Sequence, residues 1–442
     1  MLVVLFCILQ ACSDTETAPH FVQAELDAWV HYGTEAERRT IQQQVARFND
    51  LQDTVRINAV ILPEGIYHQQ IETAAAAGRL PDILEVNPVY VGYQAWSDYL
   101  RPIDKLLTDS IRNDLLSALV QQNMLQGRLY AVSPNSRVII LYARRSALKR
   151  AGIVLDDTLT EPWSMITGVV EQLSRYRSRQ QHSRRPAENG NPVILELHPR
   201  SDEHWLSETL WPLVQASGGT LGDQPPYIAK LDAPATVHLL HQLQDWFSHG
   251  NISSNKDDAF SNGRAPLVLA TQAEFDHYLE LWKDDLLVLP LVFDGADAGL
   301  SQTGLQAGWS WGISRDCRDL RTAMHFIEFL LQPEEILMMA DASVTLPATH
   351  SALQMSNHFR RDETPVFDAT LMDRAVLSRS GSPAYPQLRS RFDQLLQNIA
   401  GGADVSAEVG RAMTDMTLII DQYKEASATE VQAIAPLPLN DT

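Results

Sequence analysis

The chain has 442 residues, 45% of them hydrophobic, enough to build one large or two medium domains. Its formal net charge of −20 argues against a nucleic-acid partner, because phosphate binding needs clustered Lys and Arg. The one basic run, residues 175–185 (RYRSRQQHSRR), reads as a solvated helix end and loop. Of three cysteines, Cys7 and Cys12 lie at the extreme N-terminus and only Cys317 lies in the body, so stability must come from an ordinary core without an internal disulfide.

Residues 1–11 (MLVVLFCILQA) are apolar and uncharged, and too short to cross a bilayer, which takes roughly 20 residues. They read as a signal-peptide core. Leu9-Gln10-Ala11-Cys12 resembles the bacterial lipobox, which implies lipidation of Cys12 and a mature chain that starts there. Residues 12–20 then form a polar tether, and the membrane is met through the lipid alone. No other apolar run is long enough to span.

The elements follow in chain order. Residues 26–30 are a short apolar run, and 34–49 are helical, with Thr34 and Glu37 at capping-box spacing and Ile41, Val45 and Phe48 as the buried stripe. Strand 55–62, helix 67–77 closed by Gly78, and strand 83–86 complete a strand-helix-strand-helix-strand series, which implies a parallel sheet. Helix 109–122, strands 129–132 and 138–142, and helices 146–151 and 162–175 come next. Strand 193–197, helices 203–217 and 234–250, and strands 266–271 and 286–291 follow. Helices 321–331, 333–340, 387–400 and 406–424 precede a Pro- and Ala-rich tail, 426–442, read as disordered.

Several segments, in register along the chain, resemble the extracellular solute-binding proteins of carbohydrate ABC importers, the maltose-binding-like group. They include Ala77-Gly78-Arg79-Leu80-Pro81-Asp82-Ile83 and Gln126-Gly127-Arg128-Leu129-Tyr130-Ala131-Val132. Further along come Lys149-Arg150-Ala151-Gly152-Ile153, Glu161-Pro162-Trp163, and Phe260-Ser261-Asn262-Gly263-Arg264-Ala265-Pro266. The Gly/Trp-rich run 308–314, the helix around Phe326 and Phe329, and Leu346-Pro347-Ala348 close the set. Two positions depart from the family pattern: Ala143 follows Tyr142, where Asn is usual, and Pro162 precedes Trp163, where Thr is usual.

The resemblance implies an α/β, two-lobed clamshell, each lobe a mostly parallel sheet flanked by helices. Lobe 1 would comprise 20–133 plus 270–331, and lobe 2 would comprise 138–268 plus 334–425. It implies a monomer that captures a sugar or related polar solute by hinge closure and hands it to the transmembrane subunits of an ABC permease. No cofactor and no metal are implied. An extracytoplasmic sensor, signalling occupancy to a membrane protein, fits the same sequence.

A sugar offers hydroxyls at its edge and C–H groups on its faces, so its site pairs flat aromatic rings with fixed polar groups. Among nine tryptophans, Trp29, Trp309 and Trp311 are the expected stacking surfaces, joined by Trp205 and Tyr32. His31, Glu85, Asn87, Asn135 and Gln272 are the expected polar partners, and Asp82 is either a further contact or a turn stabiliser. Trp163, Trp246 and Trp282 are assigned to the core. Gly308-Trp309-Ser310-Trp311-Gly312 formally matches the hydrolase nucleophile elbow, but lacks the strand before and helix after that the motif requires. His238 and His241 read as an exposed helix face, and Cys317 as a buried thiol.

Overall fold

The structure is a computed structural model that describes residues 24–155, 163–181, 193–197, 205–222, 227–253, 258–293, 301–302, 306–356 and 381–430. The apolar leader, Cys12, the tether and residues 431–442 lie outside the described residues. The chain opens with β1 (Ala24–His31), α1 (Glu35–Leu51), β2 (Val55–Leu62), α2 (Glu64–Ala76) and β3 (Ile83–Val86). Next come α3 (Val91–Trp96), α4 (Asp109–Asp114), α5 (Ser117–Gln122), β4 (Met124–Leu125), β5 (Arg128–Leu129) and β6 (Ala131–Val132). Then follow β7 (Asn135–Arg137), β8 (Ile139–Arg144), α6 (Arg145–Arg150), α7 (Trp163–Gln181), β9 (Leu195–Leu197), α8 (Trp205–Ala216), β10 (Thr220–Leu221) and β11 (Ala229–Lys230). After them lie α9 (Pro234–Ser248), β12 (Ile252–Ser253), β13 (Leu267–Thr271), α10 (Phe275–Trp282), β14 (Leu286–Pro290), β15 (Val292–Phe293) and β16 (Ser301–Gln302). The last stretch holds β17 (Gln306–Ala307), β18 (Ser310–Ile313), α11 (Leu320–Leu330), α12 (Pro333–Ser343), β19 (Leu346–Pro347), α13 (His350–Met355), α14 (Tyr385–Ala400) and α15 (Val405–Glu430).

Two five-stranded sheets organise the lobes. The first has the order β2-β1-β3-β18-β6, and the second β12-β9-β13-β8-β14. In the first, β1 pairs in parallel with β2 and β3, and β18 runs antiparallel to β3. In the second, β9 pairs in parallel with β12 and β13, and β8 runs antiparallel to β13 and β14. Strand alternation gives the first sheet two faces. Leu26, Ala28 and Val30 pack with Ile41, Val45 and Phe48 of α1, while Trp29 packs with Tyr67, Ile71 and Ala75 of α2. The capping box forms as its spacing predicts: Glu37 N–H donates to Thr34 Oγ1 at 3.2 Å and Thr34 N–H donates to Glu37 Oε2 at 2.6 Å. Such a cap is worth about 1 kcal/mol and fixes where α1 starts, immediately after the end of β1.

Between the lobes, β17, β7 and β19 form a three-stranded antiparallel ladder in the order β17-β7-β19. The chain crosses from one lobe to the other along each of these strands. This topology moves both expected lobe boundaries. β13, α10 and β14 belong to the second sheet, so residues 270–290 are in lobe 2, and lobe 1 resumes only after β17. α12 packs on α1, with Ile336 in the same cluster as Ile41, so residues 334–343 stay with lobe 1. The apolar pattern of β14 marks it as a buried strand but cannot say that its partner is β8, more than 140 residues earlier. The last helix also continues past its expected end at Lys424, to Glu430.

Gln272, expected as a ligand contact, is instead consumed by the hinge. It is 2% exposed; its Oε1 accepts from Val138 N–H at 2.8 Å and its Nε2 donates to the Val344 carbonyl at 2.9 Å. It thereby ties the exit of β7 to the entry of β19. Val344 itself takes the left-handed conformation, φ 51 and ψ 47, as the C-cap of α12. A β-branched residue is strained there, at a cost on the order of 1–2 kcal/mol. Val344→Gly is therefore expected to raise the unfolding free energy by about 1 kcal/mol in chemical denaturation, with the hydrogen bond from Gln272 kept. An unchanged or lower value would contradict the strain.

Candidate functional site

The C-terminal ends of β1 and β3, the start of α1, the entry to β18 and the hinge ladder converge on one cleft of about 590 Å³, counting the space open to solvent. Its walls include His31, Glu37, Arg38, Glu85, Asn135, Arg137, Gly308, Trp309 and Trp311. His31 is the best-defined member. Its Nδ1 lies 2.8 Å from Glu85 Oε2, which also accepts the His31 backbone N–H at 3.1 Å. That bond to a carboxylate places the ring proton on Nδ1 in the neutral imidazole and leaves Nε2 as the free nitrogen. The ring stacks on Trp309 with centroids 3.9 Å apart and planes 3° from parallel. Tyr67 meets the same indole at 86° and 5.6 Å, and its hydroxyl donates to the Trp29 carbonyl at 2.8 Å.

On the hinge side, Gly308 N–H donates to the Asn135 carbonyl at 2.9 Å. A Cβ on Gly308 would stand 2.9 Å from the Asn135 carbonyl oxygen, a backbone atom that cannot rotate away, so glycine lets the two hinge segments pass this closely. On the rim, Arg38 lies 3.9 Å over the Tyr32 ring and donates to the carbonyls of Tyr32 and Gly33 at 2.9 and 2.8 Å. Tyr32 is half exposed. The lobes touch beyond the cleft: Val89 of lobe 1 is buried in the core cluster of lobe 2, and a Cβ on Gly92 would lie 2.8 Å from the Gly381 carbonyl oxygen.

Of the residues expected from sequence, His31, Glu85, Asn135, Trp309 and Trp311 line this cleft together. Trp311 is 2% exposed and packs edge-on against Phe326, so its ring belongs to the core beneath the cleft, not to a stacking surface. Trp309 precedes β18 and turns to the α2 face, which is why two tryptophans two residues apart fare differently. Trp29 packs into the α2-side cluster. Asn87 caps the turn at 88–90, accepting from Val89 N–H at 3.1 Å. Trp205 opens α8, and its side chain lies outside the described residues.

Asp82 is buried at the start of β3, the opposite end of that strand from the cleft. It accepts from Arg318 Nη2 at 2.6 Å, Arg318 Nε at 3.1 Å, and the backbone N–H groups of Arg318 and Asp27. Burial pushes its pKa up, but the Arg318 guanidinium and the backbone N–H groups of Arg318 and Asp27 together outweigh burial and hold the carboxyl below its ordinary value. Of its two expected roles, the structure gives Asp82 the framework one. Sequence reasoning missed Glu37, Arg38 and Arg137. The capping box marks Glu37 and the helix start, but nothing local shows that this start faces a cleft.

Ser310 lies within β18, not on a strand-to-helix turn, and is fully buried. Its hydroxyl is 2.6 Å from Ser133 Oγ and 3.1 Å from the Gly308 carbonyl, so it ties the sheet to the hinge and is not set up as a nucleophile. Burial pushes the Cys317 thiol up to about 11, which keeps it protonated and unreactive near neutrality. His238 and His241 are exposed, and among the described residues no cluster of His, Cys, Asp and Glu has the arrangement to hold a metal ion. Among the same residues no helix is long and apolar enough to cross a membrane.

Burial lowers the His31 pKa, but Glu85, with smaller help from Glu37 and Glu64, outweighs it and leaves the net value above 6.5. The protonated ring therefore adds stability that is fully present below about pH 6.5 and fades as pH rises through the elevated midpoint. In a ring-resonance NMR titration His31 should titrate above 6.5, and in Glu85→Gln it should titrate at or below that value. Equal midpoints in the two proteins would remove Glu85 as the cause.

Comparison with known proteins gives this geometry a context. The family model described as "Bacterial extracellular solute-binding protein" matches residues 43–365. No curated protein matches the chain. Among solved structures, the sugar-binding protein MalE of Xanthomonas citri superposes with a TM-score of 0.75 at 16% identity, over 92% of this chain and 99% of that one. The cyclic α-maltosyl-1,6-maltose binding protein of Arthrobacter globiformis gives 0.73 at 17%, over 90% and 100%. The GacH receptor of Streptomyces glaucescens, solved unliganded and with acarbose, gives 0.67 at 18%, over 90% and 98%. At these identities the likeness carries the two-lobed fold, and the family model carries the membership. The protein is a member of the bacterial extracellular solute-binding proteins, an extracytoplasmic binding protein of that two-lobed fold.

Proposed function

We propose that the protein captures an uncharged saccharide between its lobes and releases it to the membrane permease of an ABC importer. The observation that carries this reading is the His31–Trp309 pair at the mouth of the hinge. An indole, part of it still accessible, lies beside an imidazole whose orientation Glu85 fixes. A pyranose presents C–H groups to such a ring and hydroxyls to the polar atoms around it. His31, Asn135 and Arg137 line the same space. The sugars named for the Arthrobacter and Streptomyces relatives support the same ligand class.

Binding would act through the hinge. A solute that meets both walls stabilises the lobes-together arrangement more than the parted one, and the ladder of β7, β17 and β19 is narrow enough to bend while both cores stay intact. Lipidation of Cys12 and the tether at 12–20 would keep a monomeric protein within reach of its permease, a role that the sequence supports.

Thermal-shift screening of the purified protein against a carbohydrate panel tests the reading. A cognate sugar at 100 times its Kd should stabilise by about 2.7 kcal/mol. Trp309→Ala should weaken that sugar by about 2 kcal/mol, roughly 30-fold, in calorimetry, with the fold retained by circular dichroism. A panel without any shift, or full affinity in Trp309→Ala, would refute it.

A further inference from the structure

The lobes meet again outside the cleft, through a short stretch of lobe 1 whose residues do not line it. The turn at 88–90 packs against α14, with Val89 buried in the core of lobe 2 and Tyr90 partly buried against that core. Trp96, at the end of α3, meets the Tyr423 ring of α15 at 5.0 Å and 65°. Between these two contacts Gly92 passes close to lobe 2 backbone: a Cβ there would stand 2.8 Å from the Gly381 carbonyl oxygen and 3.0 Å from that of Ser382. Residues 89–96 thus lie against lobe 2 as one strip, and parting the lobes breaks every one of these contacts.

Beneath the strip, on lobe 1, sits His68 of α2. Its ring stacks on Tyr90, with centroids 3.9 Å apart and planes 28° from parallel, and meets Tyr93 at 5.8 Å and 64°. Nε2 lies 3.4 Å from Glu72 Oε1, which also accepts the Tyr93 hydroxyl at 3.1 Å. Nδ1 is buried and has no hydrogen-bond partner among the described residues. The titratable groups around the ring are Glu72 on its own helix, Tyr90 in the turn and Tyr93 on α3, and Tyr423 of α15 feels the charge of Glu72 across the seam. A neutral imidazole fits this seat. It donates to Glu72 through Nε2 and leaves a lone pair at Nδ1. An imidazolium puts a second N–H at Nδ1, where burial without an acceptor is costly. Burial accordingly outweighs the attraction of Glu72 and holds the His68 pKa below its ordinary value of 6.5. Room for a water at that N–H comes from shifting the stacked Tyr90 ring, and Tyr90 is itself seated against the core of lobe 2.

We propose that the strip from Val89 to Trp96 is a latch between the lobes, closed against α14 and Tyr423, and that protonation of His68 releases it. With the imidazole neutral, the latch keeps part of the ligand-free population closed. With the ring charged, Tyr90 leaves its seat and the lobes part. The closed lobes hold His68 below its ordinary pKa and the open lobes let it return, so closure is favoured above about pH 6.5 and is lost as the pH falls below that value. Lobe motion thereby acquires a proton dependence that needs no ligand contact, and acid hastens the escape of whatever solute the cleft holds.

Small-angle X-ray scattering of the ligand-free protein at about pH 7.5 and about pH 5.5, one unit either side of the ordinary histidine value, reads the switch without any ligand. The native radius of gyration should rise at the lower pH. His68→Phe keeps a ring on Tyr90 but cannot titrate, and should stay at the compact value at both; His31 is untouched in it, so the difference from native isolates His68. Trp96→Ala should be expanded at both. By reciprocity, the His68 ring resonance should titrate below 6.5 in the native protein and rise to about 6.5 in Trp96→Ala. Gly92→Val, which presses on the Gly381 and Ser382 carbonyls, should open the lobes in the same way and stands in for Trp96→Ala should that variant fail to fold. A native radius that ignores pH, an expansion of native size in His68→Phe, or one His68 midpoint shared by the native and opened proteins overturns the proposal.

Discussion

The ladder of β17, β7 and β19 is the constraint on which the rest of the molecule depends. It is the seam where the chain passes between the two lobes, each built on its own five-stranded sheet, and each crossing is pinned by groups with little freedom to change. Gly308 cannot carry a side chain beside Asn135, and Gln272 clamps the neighbours of two crossings at once. Close-packed cores resist continuous deformation, so relative motion of the lobes is confined to such a seam. Arg137, paired with Gln306 in that ladder, also lines the cleft. Hinge and site are one piece of structure.

The electrostatics follow a single rule on both walls. The surface is strongly acidic, with a net charge of −20, yet carboxylates beside the hinge are already engaged: Glu85 by His31 and Glu208 by Arg389. A site built this way holds its polar atoms in fixed directions, which suits a solute rich in hydroxyls. The far end of the first sheet works in the same manner, where Asp82 is enclosed by Arg318 and two backbone donors, but there the outcome is rigidity instead of recognition.

Local chemistry was legible in the sequence wherever neighbours in the chain decide the structure. The Thr34–Glu37 box, the strand at 83–86 and the stripe of Ile41, Val45 and Phe48 all stand as their spacing predicts. Tertiary pairing escaped it. The expected helix 109–122 is split into α4 and α5 because Leu115 pairs with Thr349 and Leu116 N–H donates to the Ala348 carbonyl, a competition no local signal announces. Gln272 and Asp82 are polar residues near strand ends, the usual place for ligand contacts, but distant backbone and Arg318 claim them first. Glu208 and Arg389 are 181 residues apart and meet only in the folded chain. The strand pattern likewise could not tell which sheet takes β14.

Small-angle X-ray scattering of the protein, free and saturated with its strongest-binding saccharide, tests hinge closure most directly. The account predicts a larger ligand-free ensemble that contracts on binding to the profile calculated for the arrangement with Gly92 against Gly381. Identical profiles for free and fully bound protein would contradict it.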